Sequence, residues 1–169
     1  MTNHTMIGID PGVVDTGVVC ITFYPDEKKI WVDHKVFHKL SLNNVGELQM
    51  YIQAYDQNAV KHVIIEDYDA RSNFNNDKHM ASLVTLLKQS LPGAKALNNA
   101  GILTLIKPAL MKALDVWTYP TPTNHNDLRS AARIALLAMA KDDTGLAELL
   151  SLVVKDHLYE TEWTVTHGD

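Results

Sequence analysis

The run Ile7-Gly8-Ile9-Asp10-Pro11-Gly12-Val13-Val14-Asp15-Thr16-Gly17-Val18-Val19-Cys20-Ile21 constrains this chain more than any other stretch. Apolar residues stand on either side of a compact Asp-Pro-Gly unit, so the run reads as a strand, a tight turn and a second strand. Pro11 presets φ and Gly12 admits positive φ, which lets the chain reverse at once. The carboxylate of Asp10 then emerges at the end of an apolar strand. Such a unit is either a plain structural hairpin or one corner of a site, and acids further along the chain bear on the choice.

A chain of 169 residues fits the size of one domain and can bury a real core. No run of 18 apolar residues occurs, so no transmembrane helix is expected, and no basic-then-apolar leader suggests secretion. Cys20 is the single cysteine and sits in an apolar strand, which fits a buried small side chain in a reducing, cytoplasmic setting. The net charge of -5 argues against a nucleic-acid binder until its distribution is read. Residues 1–141 carry 14 Lys and Arg against 13 Asp and Glu, whereas residues 142–169 carry one Lys and seven acids. The body is therefore balanced and can meet phosphate through a basic patch or through a divalent ion.

Hydrophobic spacing predicts strands over 5–10, 17–24 and 30–37 as an antiparallel meander, then a helix over 45–58. His62-Val63-Ile64-Ile65 follows as a short buried strand, parallel to the first because a helix crosses over between them. A helix over 79–91 carries Met80, Leu83, Val84 and Leu87 on one side, which suits either the monomer core or a subunit contact. Residues 94–100 are expected to continue a helix, with Gly101 as its stop, and Ile102 to Ile106 to form a strand. A short helix follows over 109–115. An Ala-rich helix runs from 125 to 141, and a last helix spans 146–158. The expectation is an α/β fold, a mixed five-stranded sheet with helices packed on it, as one domain over 1–158 with a frayed acidic tail over 159–169.

Three acids stand out by place. Asp10 ends the first strand, Glu66 ends the central strand, and Asp127 lies in the first turn of the Ala-rich helix. Carboxylates at the ends of adjacent parallel strands approach one another, and sites in such sheets form beyond those ends. Gathered carboxylates repel unless a cation offsets them, and hard oxygens suit Mg²⁺ or Mn²⁺. Two such ions about 4 Å apart can activate water and stabilise a leaving oxygen in phosphodiester cleavage. Each acid also has a structural reading: Glu66 as an exposed strand end, Asp127 as an acid favoured by the helix dipole.

The same residues resemble a known family, the RuvC-type Holliday-junction resolvases, and in particular their phage-encoded relatives within the ribonuclease H-like superfamily. That family opens with a strand ending in Asp-Pro-Gly and a Thr-Gly that starts the second strand, matched by Ile9-Asp10-Pro11-Gly12 and Thr16-Gly17. Its fourth strand ends in Glu and an aromatic, matched by Ile65-Glu66-Asp67-Tyr68 with the aromatic one place late. A strand leading into a Lys-containing helix resembles Ile106-Lys107-Pro108 through Lys112. Its final helix carries Asp-x-x-Asp-Ala, matched by Asp127-Leu128-Arg129-Ser130-Ala131 and the small and apolar residues that follow. The second Asp of that motif falls on Ser130, a poorer ligand one helical turn from Asp127.

The resemblance implies a ribonuclease H-like fold and a Mg²⁺- or Mn²⁺-dependent endonuclease that resolves four-way junctions in branched DNA, with two ions per site. It further implies a homodimer working in a bacterial host cytoplasm. Asp10, Glu66 and Asp127 are the expected ligands, supported by Ser130, with His125 as a proton-transfer or phosphate group and Lys107 beside the reacting phosphate. The loop from Arg71 to Lys78 would hang beside Glu66, with Phe74 stacking on a base. Lys112, Arg129 and Arg133 are candidate phosphate contacts, or else the solvated side of their helices. Three rivals remain: a flap, fork or RNA–DNA hybrid nuclease; an actin-like phosphotransferase, whose nucleotide site also opens with an Asp-Gly turn but which needs two such domains and more than 169 residues; and a junction binder that does not cut.

Overall fold

The computed structural model describes residues 1–67, 77–159 and 162–168. Among them, six strands form one mixed sheet in the order β5-β4-β1-β2-β3-β6. β1 (His4–Asp10), β2 (Asp15–Tyr24) and β3 (Lys29–His38) make the expected antiparallel meander. After α1 (Val45–Gln53), β4 (Val60–Asp67) lies parallel to β1, as the crossover rule required.

The sheet has one strand more than expected, and two of the six lie where no strand was expected. β5 (Lys95–Asn98) pairs parallel with the end of β4, where a continuing helix was expected. α2 (Asp77–Ser90) stops in a turn in which Ala94 N donates to Leu91 O and Gly93 takes φ +84°. The chain leaves that turn along the open edge of β4, whose backbone groups need partners. β6 (Thr164–His167) pairs parallel with β3 within the segment expected to fray. Its anchor is Trp163, 4% exposed, whose Nε1 donates to Asp156 Oδ2 at 3.2 Å. A buried indole next to an alternating Thr-Val-Thr-His run holds the segment down despite its acidity.

A third difference is α3 (Ile102–Leu105), expected as a strand. Ile102 and Ile106 turn to the core one helical turn apart, while Leu103 and Leu105 stay exposed. Spacing of i and i+4 is helical, and a short apolar run does not reveal it by composition alone. Gly101, expected as a helix stop, instead precedes this helix in a left-handed conformation.

Helices cover both faces of the sheet. Strand alternation sends Ile7, Ile9, Val18, Cys20 and Ile65 to one face, packed with Leu48 and Ile52 of α1 and Leu83, Val84 and Leu87 of α2. The apolar side of α2 is thus spent on the monomer core, which decides between its two sequence readings. Met6, Val19, Ile21, Phe23 and Ile64 face the other way, toward α4 (Pro108–Ala113), α5 (His125–Ala140) and α6 (Leu146–Tyr159). α5 buries Leu128, Ala131, Ala132, Ile134, Ala135, Leu136 and Leu137, because the sheet lies on one side of it and further chain on the other.

Candidate functional site

α5 rests on the sheet more closely than side chains would normally allow, and the reason is in the strands. A Cβ at Gly8 would stand 1.8 Å from the carbonyl oxygen of Ala131, and one at Gly17 would stand 2.8 Å from the backbone carbonyl of Asp127. Glycine at both places lets helix backbone touch strand backbone. This fixes the first turn of α5 above β2.

That contact also fixes where the acids meet. Gly17 is the antiparallel partner of Asp10, so Asp127 lies above the residue opposite Asp10. β1 and β4 run in parallel register through Gly8–Ile64 and Ile9–Ile65, so Asp10 and Glu66 are the next residue of each strand. By alternation both fall on the face of Met6 and Ile64, the face that α5 covers. Three acids from β1, β4 and α5 therefore stand at one end of the sheet on one face. Asp10 is 6% and Glu66 4% exposed, while Asp127 is half-buried.

The surroundings hold these groups in place. The turn after Asp10 is braced by Thr16, whose hydroxyl lies 3.3 Å from both the amide and the carbonyl of Gly12. Asn99 Nδ2 donates to Glu66 Oε1 at 2.7 Å from the turn after β5. Burial, and then the nearby Asp15 carboxylate, raise the Asp127 carboxyl above its ordinary range. Asp15 itself pairs with His38 Nδ1 at 2.9 Å. An acid held less ready to ionise, close to other acids, is what a cation would relieve. Carboxylate oxygens are the donor type that suits Mg²⁺ or Mn²⁺. Among the described residues, no group of three or more His, Cys, Asp or Glu side chains is drawn together as the ligands of an ion. The convergence is one of strand ends and helix start.

The supporting residues divide. Ser130 lies one helical turn from Asp127 and is half-buried. His125 opens α5, and its Nδ1 is shielded without a hydrogen-bond partner. Lys107 does not follow a strand. It caps α4 after a helix, in extended conformation and exposed, so the reason for placing it beside the acids is gone. Lys78 is exposed in the first turn of α2. Arg71 and Phe74 lie outside the described residues. Arg129, Arg133 and Lys112 are drawn together around the ring of Trp117. Asn99 was missed because Asn98-Asn99-Ala100-Gly101 was read as the end of a helix, although two Asn before Ala-Gly is a turn signal.

No protein-family model matches the chain, and no curated protein matches it by sequence. Among solved structures, it is similar to T. thermophilus RuvC in complex with a Holliday junction substrate, with a TM-score of 0.52 and 16% identity over 79% of this chain and 90% of that one. The mixed sheet, with its antiparallel opening meander and flanking helices, is consistent with a ribonuclease H-like topology. A likeness at this identity is one of architecture: a mixed sheet with an antiparallel opening meander and helices on its faces. The large terminase (g2p) nuclease domain of bacteriophage SPP1, with bound Mn, is similar at a TM-score of 0.44 and 14% identity over 79% of this chain and 85% of that one. Among the described residues, no helix is long and apolar enough to cross a membrane.

Proposed function

We propose that the chain is a divalent-metal-dependent endonuclease acting on branched DNA, with four-way junctions as its substrate. What supports this reading is that Asp10 and Glu66 follow paired positions of two adjacent strands on one face, and that the first turn of α5, with Asp127, seats over the residue opposite Asp10. The fold likeness to a junction-bound resolvase supports the same substrate class. Asp10, Glu66 and Asp127 would hold Mg²⁺ or Mn²⁺, which supplies positive charge to lower the pKa of the attacking water and to stabilise the leaving oxygen. Asp10 sits centrally, between the strand of Glu66 and the glycine under Asp127, and is the acid that both others can share. Asn99 keeps one Glu66 oxygen oriented by its amide. Ser130 takes the place of a fourth acid, and His125 stands at the helix start as a proton carrier.

Paired cuts in a junction call for two copies related by a two-fold axis, and we propose a homodimer. The side of α2 away from the core offers a surface for it, where Ala81, Ser82, Leu86 and Gln89 adjoin Val13, Leu40 and Leu42 in an apolar groove.

The test is cleavage of a synthetic four-way junction, a flap and a linear duplex of matched sequence, with Mg²⁺ and with Mn²⁺, beside Asp10→Asn. Paired symmetric nicks in the junction alone, absent in the variant, are expected. Equal cutting of the flap assigns a broader structure-selective nuclease. Tight junction binding without cutting by either metal assigns a binder, the outcome that Ser130 in place of an acid favours.

A further inference from the structure

We infer that Trp117, Lys112, Arg129 and Arg133 form a binding platform for the phosphodiester backbone of nucleic acid, on the side of α5 away from the sheet. The Arg129 guanidinium carbon lies 4.2 Å from the centroid of the Trp117 ring, that of Arg133 5.5 Å, and Lys112 Nζ 5.4 Å. Arg129 Nε also donates to the Trp117 carbonyl oxygen at 2.7 Å, which ties the segment before α5 to the helix. Arg133 Nε is shielded from solvent and makes no hydrogen bond.

Among the described residues, none of these three cations has a carboxylate within ion-pair distance. That is unusual in a chain with more acids than bases. The indole face attracts each cation, but it carries no net charge and cannot cancel their mutual repulsion. A ligand with several negative charges does cancel it. Arginine forks suit phosphate oxygens, and the fixed ring limits the freedom these long side chains would otherwise lose on binding.

Position selects the polyanion. Arg129 and Arg133 are four residues apart on one face of α5, about 6 Å along its axis. Phosphates on one strand of a duplex recur about every 3.4 Å along its axis. Two phosphates of one strand, two steps apart, can therefore each meet one of the two guanidinium groups. The choice of nucleic acid over another polyanion rests on the nuclease reading; the platform itself does not.

The experiment measures binding of labelled duplex and four-way junction by fluorescence anisotropy between 50 and 200 mM KCl, in EDTA so that no metal contributes. Lys112→Gln and Arg133→Gln are compared with the parent chain. Each is expected to reduce the slope of log affinity against log salt by about 1. Each should weaken binding roughly threefold or more, and alike on both DNAs, because backbone contacts carry no sequence or junction preference. Trp117→Leu is expected to lower affinity as well, with circular dichroism checking its fold. Unchanged slopes for both Lys112→Gln and Arg133→Gln overturn the platform. Loss of binding to phosphatidylglycerol vesicles, with DNA binding intact, overturns nucleic acid as its ligand. Failure of the junction to be cut leaves these slopes as they are, so the two readings fail separately.

Discussion

Replacing Gly17 by Ala tests whether the close seat of α5 serves the chemistry. A Cβ at Gly17 would lie 2.8 Å from the carbonyl carbon and oxygen of Asp127 and 3.1 Å from its Cβ. An ordinary carbon contact needs about 3.5 Å, so the start of α5 must lift by roughly 0.7 Å. Overpacking of this kind costs about 1–3 kcal/mol. At this chain length the lower half of that range moves Tm down by about 2–8 °C. The effect on turnover should be larger, since a misplacement of about 1 Å in a catalytic group costs about 100-fold. We expect a 10- to 100-fold fall in junction cleavage, with DNA affinity within about threefold of the parent. Gly8→Ala is the calibrating variant: its Cβ would meet the Ala131 carbonyl oxygen at 1.8 Å, a clash that a shift of this size does not relieve. It should lose more than about 3 kcal/mol. Thermal unfolding and single-turnover cleavage read the two effects apart. A Gly17→Ala protein with parental Tm refutes the close packing. One with lowered Tm and parental cleavage keeps the packing and removes Asp127 from the chemistry.

Three further outcomes are expected. Asn99→Leu keeps the size of the side chain but loses the bond to Glu66, and should weaken Mn²⁺ binding by about 10- to 100-fold in calorimetry, as loss of a partner to a metal ligand does; parental affinity would show that the amide does not orient Glu66. Trp163→Ala should cost about 3–5 kcal/mol in urea unfolding, because the indole is buried and bonded to Asp156; a variant as stable as the parent would return residues 162–168 to a frayed tail. Burial lowers the pKa of His4, His34 and His62, outweighing the opposing Asp142 charge near His4 and His62 and the Asp33 charge near His34. The unfolded chain then takes up protons first as pH falls below about 6.5, so the urea midpoint should hold above that pH and decline below it. His62→Gln should flatten the decline, and a midpoint that rises on acidification contradicts the argument.

The parts of the fold that could be read from the sequence are those in which side-chain period and chain connection say the same thing. Val18 to Ile21 and Ile7 to Ile9 flank a turn that only one register suits, and the helix before β4 makes that strand parallel to β1. The parts that could not be read are short and lie on edges. β5 has four residues with two apolar side chains, Ala96 and Leu97, too few to show a period. It is a strand because β4 presents an open edge there, and nothing within Lys95 to Asn98 records that. β6 is similar: the acids around it argued for solvent, whereas its place follows from Trp163 reaching the core.

The site divides along the same line, and the division says how it is built. Asp10 and Glu66 are legible because each ends a strand whose apolar alternation sets the face of the next side chain. Asp127 is legible by its place in the first turn of the Ala-rich helix, but its seat over the sheet is not: that follows from Gly8 and Gly17, which let α5 lie against β1 and β2, and from Ala131 and Ala135, small enough to lie there. Lys107 fails for want of such a link. Its place was inferred from a strand at Ile102 to Ile106, and when that segment coils into α3 the lysine goes with it to the surface. Asn99 and Trp117 have no periodic signature, since each acts across a tertiary contact, one on Glu66 and the other on three cations. Ser130 becomes intelligible from this construction. Asp10, Glu66 and Asp127 are each fixed by backbone pairing or backbone contact, whereas position 130 depends only on being one turn further along α5. The position least determined by the scaffold is the one at which the chain departs from the four-acid pattern. If the three remaining acids suffice for cleavage, Ser130→Asp should raise metal affinity more than it raises the rate.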